Sequence, residues 1–174
     1  MHLTPVMQRY ILHWGEMGAR WGVNRSVAQI HGLLFLAGRP MNAEAIVETL
    51  GVARSNVSNS LKELLGWGLV KMVHLPGDRR DHFEARDDPF DMLMLIAEGR
   101  KRREIDPTLE VLADCVAEAD ADIDTPADVT ARIKAMHGFV GKLDRWYDQM
   151  RQVPRPLLLR LLDLGGKVIG LLGR

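Results

Sequence analysis

The stretch "VARSNVSNSLKELLGWGLV", residues 52–70, decides how this chain folds. Its first half places Arg54, Ser55, Asn56, Ser58, Asn59 and Ser60 around one valine, and its second half is the strongly helical Leu61-Lys62-Glu63-Leu64-Leu65. Ser and Asn side chains compete for backbone hydrogen bonds, so helix stability alone does not explain their density. At roughly 100° per residue, Val57, Leu61, Leu64 and Leu65 share one side of a helix. Ser55, Asn59 and Lys62 then lie opposite, with Asn56 and Ser58 on the flanks and Glu63 as the one carboxylate. Short hydroxyl and amide groups on such a face can approach base edges in a major groove, where Asn pairs with adenine. Arg54, at the helix N-terminus, adds a phosphate contact beside the first backbone amides.

Just upstream, "NAEAIVETLG", residues 42–51, starts with Asn42 as a helix cap and stops at Gly51. A short helix, a glycine turn and a second helix form a helix-turn-helix, with Ile46, Val47 and Leu50 facing the apolar side of the second helix. Downstream, "LVKMVHL" (residues 69–75) and "DHFEA" (81–85) read as strands on either side of the Pro76-Gly77-Asp78 turn. The resulting hairpin carries Arg79 and Arg80 at its tip, where a wing reaches the negative potential of a narrow minor groove. Either Asp78 or Asp81 orients one arginine through a fork-shaped pair; sequence leaves open which arginine is held and which reaches DNA. Winged helices also serve as protein–protein modules, and that is the alternative reading.

Proline punctuates the rest. Helices are expected over residues 6–21, 25–36, 89–105, 107–119, 126–152 and 156–172, and Asp88-Pro89, Asp106-Pro107 and Thr125-Pro126 have the capping residue and proline that begin a helix. The fold class is therefore mainly α with a small β-hairpin. A winged helix-turn-helix domain with N-terminal helices is expected over residues 1–88, and a helical dimerisation or effector region over 89–174.

Composition narrows the function. With 47% apolar and 26% charged residues the chain is neither disordered nor unusually charged. Its zero net charge hides an asymmetry: residues 104–131 hold nine acidic and no basic residues, so the remainder is net +9, as a polyanion partner requires. The single cysteine, Cys115, excludes an internal disulfide and a cysteine zinc site and fits a reducing cytoplasm. Flanked by Leu112 and Val116 amid carboxylates, it reads as a structural thiol rather than a redox sensor. The six histidines lack metal-ligand spacing, and no nucleophile motif or phosphate-cradling loop is present, which argues against an enzyme, a metal or a cofactor.

No signal peptide is read at the start. The most apolar stretch, "PLLLRLLDLGGKVIGLLG" (residues 156–173), is interrupted by Arg160, Asp163 and Lys167 and is not a membrane span. So wide an apolar face needs covering, and a second subunit suits it, since two recognition helices about 34 Å apart read a pseudo-palindrome. A membrane-surface helix is the competing account. The run "RKRR", residues 100–103, reads as a solvated face pairing with the acidic block, or else as phosphate contacts.

Residues 13–85 resemble the GbsR branch of the MarR-type winged-helix transcription regulators. The resemblance rests on Gly22, on Ile30-x-Gly32-x-Leu34-x-Leu36, on "LGVARSNVSNSLKEL", on "GLV" and on the "GDRRDHFEA" wing, and it continues less specifically through "RKRREIDPTL". One departure from the general helix-turn-helix pattern is Val47, where a small alanine is usual four residues before the turn glycine. The resemblance implies a cytoplasmic homodimer that binds duplex DNA and represses or modulates transcription. Ser55, Asn56, Ser58, Asn59 and Lys62 would then lie in the recognition helix, and Arg79 and Arg80 in the wing. Members of this branch are associated with osmoprotectant metabolism, which makes Trp14, Trp21, Trp146 and Tyr147 candidates for an aromatic cage around a quaternary ammonium effector. Core or dimer packing is the other account of these aromatics.

Overall fold

The computed structural model describes residues 1–165. The chain divides into two compact units, Met1–Gly99 and the residues from Arg100 onward. In the first, α1 (Pro5–Arg20), α2 (Arg25–Ala37), β1 (Met41–Asn42), α3 (Ala43–Leu50) and α4 (Arg54–Gly66) precede β2 (Val70–Val73), β3 (His82–Ala85) and α5 (Pro89–Arg100). The elements are those of a winged helix: a mainly helical body with a three-stranded antiparallel sheet in the order β1-β3-β2.

The centre of this unit is α2, whose Ile30, Leu33 and Leu34 are shut off from solvent. Around it pack Ile46 of α3, Val57, Leu61 and Leu64 of α4, Leu69 and Val70 at the start of β2, and Phe83 of β3. Burial of this many aliphatic side chains, each contributing about 1.5–3 kcal/mol, fixes the helix-turn-helix against the wing. Met92, Leu95 and Ile96 of α5 join the same core, so the first unit runs on past residue 88 to Gly99.

Local chemistry sets the element ends. Asn24 and Asn42 cap α2 and α3 by accepting backbone N–H bonds from Ser26 and Ala45. Gly51 closes α3 with φ 67°, a left-handed conformation that costs a residue with a Cβ, and its N–H reaches the Val47 carbonyl at 2.8 Å. In the sheet Val70 faces Ala85 and Val73 faces His82, while β1 adds Met41 opposite Phe83 and Asn42 opposite His82. This third strand was not foreseen: two residues after a proline are too few to show alternation.

Against α1, α2 presents His31, which is 3% exposed. The Trp14 indole N–H donates to its Nδ1 at 3.2 Å, so the neutral ring carries its proton on Nε2, which finds no partner among the described residues. Burial pushes the His31 imidazole down to about 4 from its usual 6.5. Because the folded state disfavours protonation that the unfolded chain accepts, the full contribution of this site is present above pH 6.5 and drains away as the pH falls toward 4. The loss by pH 4 is expected to reach about 3 kcal/mol. Urea denaturation between pH 7 and 4 checks this, and His31→Phe should flatten the acid limb by close to one proton.

In the second unit a π-helical turn (Lys101–Ile105) leads into α6 (Asp106–Ala121), followed by α7 (Ala127–Gln152) and α8 (Arg155–Leu164). Two expected starts differ. Asp88 does cap α5, accepting from the Phe90 and Asp91 amides. Asp106-Pro107 instead follows the π turn with helical backbone on both sides, so Asp106 caps nothing and accepts from Lys101 at 2.7 Å. The α7 cap position falls on Pro126, while Thr125 donates its hydroxyl to Asp122. The helix expected over 156–172 is seen as α8; its remainder, with Lys167, lies outside the described residues.

None of residues 100–165 is fully buried. On α7, Met136, Phe139, Leu143 and Trp146 are exposed at alternating spacings of three and four residues, the pattern of a coiled-coil seam. Cys115 of α6 is half-buried.

Candidate nucleic-acid interface

Three elements build one surface. The polar side of α4 points outward because Val57, Leu61 and Leu64 are held in the core, with Leu65 half-buried at its edge, which leaves Ser55, Asn59 and Lys62 exposed. Ser58 and Asn56 occupy the flanks and are half-buried. The Asn56 amide donates to the Ser26 hydroxyl at 2.9 Å, so this side chain ties α4 to α2 as well as bordering the polar face. Ser60, one of the residues that made the stretch conspicuous, turns inward and is 2% exposed. Ala53, at the α4 cap position, supplies no side-chain acceptor to the first amides of the helix.

The wing shows which of its two arginines is held. Asp78 grips Arg80 in a fork: Nε donates to Oδ1 at 2.9 Å and Nη2 to Oδ2 at 2.5 Å. The Arg80 backbone N–H adds a third bond to the same carboxylate, and the pairing holds the Asp78 carboxyl well below the usual carboxylate range. On the other side, His82 is buried with Nδ1 2.9 Å from the Arg80 carbonyl, which fixes the backbone where the wing re-enters the sheet. Arg79 is exposed and makes no ion pair among the described residues.

An open cleft runs between α4 and the wing, lined by Glu44, Arg54, Ser58, Lys62, Arg79 and Arg80 among others. Cations therefore outnumber carboxylates on its walls. Glu44, in the first turn of α3, pairs with Arg54, and a hydrogen bond from its own backbone amide, followed by the Arg54 guanidinium, lowers the Glu44 carboxyl. Sequence reading missed this pair. Ten positions separate the partners, and only the fold of the glycine turn brings them together.

The other candidates fall in both units. Trp14 is half-buried in a stack, its ring 5.6 Å from Tyr10 and 6.1 Å from His31, with its N–H already spent on His31. Trp21 follows α1 and is half exposed. Trp146 and Tyr147 belong to α7 of the second unit, where Arg151 lies over the Tyr147 ring. In the basic run, Lys101 bridges Asp106 and Asp144 at 2.7 and 2.8 Å, which raises its pKa and occupies its charge within the protein. Among the described residues no group of three His, Cys, Asp or Glu could hold a metal ion, and no helix is long and apolar enough to cross a membrane.

Residues 21–81, which span α2, the helix-turn-helix and most of the wing, match the sequence pattern of the MarR family. The matched stretch coincides with the winged-helix elements described above. A crystal structure of a transcriptional regulator is similar in fold, with a TM-score of 0.57 over 84% of this chain and 95% of that one, at 18% sequence identity. No curated protein matches the chain in sequence.

Proposed function

We propose that the chain is a transcription regulator that binds duplex DNA as a homodimer, with α4 in a major groove and the wing against the adjacent minor groove. The observation that carries this reading is the cleft itself: Ser58 and Lys62 of α4 line it together with a wing arginine, Arg79, that no carboxylate holds among the described residues, and Ser55 and Asn59 are exposed on the same helix. Lys62, Arg79 and Arg54 serve the phosphates and fix the register, while Ser55, Asn59 and Ser58 reach base edges. Asn56 sets the attitude of the helix through Ser26. Arg80, oriented by Asp78, presents its remaining guanidinium face to the backbone. Membership of the GbsR branch is supported by the quoted recognition-helix and wing motifs, and repression, by occupying a pseudo-palindromic operator, follows only as what that resemblance implies.

Titrating genomic fragments at two salt concentrations tests this. Duplex binding should weaken steeply as salt rises. A winged-helix module that binds only protein would retain no fragment at either salt.

The second subunit is argued from α7. Its exposed Met136, Phe139, Leu143 and Trp146 form a seam of the period that pairs helices, and none of the described residues of the unit that carries them is fully buried. Leu143→Glu is expected to shift the protein from dimer to monomer in sedimentation equilibrium at micromolar concentration. An unchanged dimer would move the interface elsewhere.

A further inference from the structure

Two carboxylates, Glu44 and Asp81, line the otherwise cationic cleft, and Glu44 is the one paired with the first residue of α4. Glu44 is half exposed, sits on the first turn of α3, and lines the same walls as Lys62, Arg79 and Arg80. Its partner, Arg54, is the first residue of α4, where a phosphate approaching the helix N-terminus would meet it. The pair is open to water on both sides, with side chains 55% and 50% exposed. Exposed ion pairs of this kind add little to stability, so holding the fold together is a weak reason for placing an anion there. Its effect on an arriving polyanion is larger. Glu44 both neutralises Arg54 and lies in the field of Arg80.

We propose that Glu44 is an electrostatic gate on the DNA-facing surface: it keeps Arg54 in an internal pair that a phosphate oxygen must displace, and so tempers affinity and salt sensitivity. The inference rests on the reading of α4 as the DNA-facing helix. No covalent chemistry is involved; one carboxylate is exchanged for one phosphate as the acceptor of the Arg54 guanidinium. The exchange favours DNA only when Lys62 and Arg79 have engaged neighbouring phosphates, because the incoming anion must replace a bond already made. Loose, single-point encounters are thereby penalised relative to a fully docked helix and wing.

The test is fluorescence anisotropy with a mixed-sequence duplex across a salt series, using wild type, Glu44→Gln, Arg54→Ala and the double variant. Glu44→Gln should bind about fivefold tighter, and its log K against log salt should steepen by close to one, the signature of one added phosphate contact. Arg54→Ala should cost about threefold in the wild-type background and more than tenfold beside Glu44→Gln, because only there is the guanidinium uncommitted. Thermal melts should show all four proteins folded, which separates the gate from a merely structural pair. Unchanged or weaker binding by Glu44→Gln overturns the proposal, as does a gain that survives Arg54→Ala. If no protein of the set retains the duplex, the DNA-facing reading of α4 falls and the gate with it; if all bind with equal salt slopes, the gate alone falls.

Discussion

Arg79→Glu is expected to lower duplex affinity about 100-fold at low salt, equivalent to about 2.7 kcal/mol. The size follows from the wing's internal pairing. Asp78 consumes much of the Arg80 charge through its fork, so Arg79 is the wing cation free to meet a phosphate or a narrow minor groove. Glutamate there removes that contact and sets a third carboxylate beside Asp78 and Asp81, facing a polyanion. Arg79→Ala, which only removes the contact, should cost about tenfold and flatten the salt slope by close to one. Arg80→Ala should cost less, and through a different route, because it frees Asp78 to repel the backbone. Raising salt from about 50 to about 200 mM should narrow the gap between wild type and Arg79→Glu, since the difference is electrostatic. Anisotropy titrations of the three variants check the order. A larger loss for Arg80→Ala than for Arg79→Ala would reverse the assignment of the wing arginines.

Gly18→Leu is expected to be the most damaging substitution for the fold, lowering stability by about 3 kcal/mol. A Cβ at position 18 would stand 2.5 Å from the Ala28 Cβ, on a helix pair whose closeness depends on that missing atom. Ala28 has no side chain to swing aside, so α1 and α2 must separate, and the Trp14–His31 bond at the same interface would be stretched with them. The gain in helix propensity over glycine, about 1 kcal/mol, offsets only part of this. In thermal denaturation the loss should appear as a melting temperature lower by roughly 10 °C. Gly66→Ala is the contrast. Nothing lies within 4 Å of a Cβ there, and the variant should melt no lower than wild type.

Such contacts mark the limit of what the sequence could say. The orientation of α4 was legible because four aliphatic residues at helical spacing leave one solution, and Val57, Leu61 and Leu64 indeed lie in the core with Ser55, Asn59 and Lys62 outside. The hairpin was legible from alternation and from the Pro76-Gly77 turn, with its strands a little shorter than read. Gly18 gave no comparable sign; a glycine in a helix looks like a weak helix former until the neighbouring helix is known. The inward turn of Ser60, the Asn56–Ser26 bond and the Glu44–Arg54 pair all join residues from different elements or depend on a packing angle, which no periodicity encodes. Asp106-Pro107 misled for a related reason. Its capping pattern is local, but the chain arrives there already helical through a π turn, and Lys101 claims the aspartate.

The central claim is that the outer side of α4 enters a duplex, and a site-specific cross-link addresses it most directly. A photoreactive aryl azide attached at Ser55→Cys, in a Cys115→Ser background so that only one thiol reacts, should transfer to base atoms in the major groove of a bound duplex. Adducts on bases, lost when salt releases the complex, are the result this account requires. A duplex that stays bound while the label at position 55 reacts only with water or protein would contradict it.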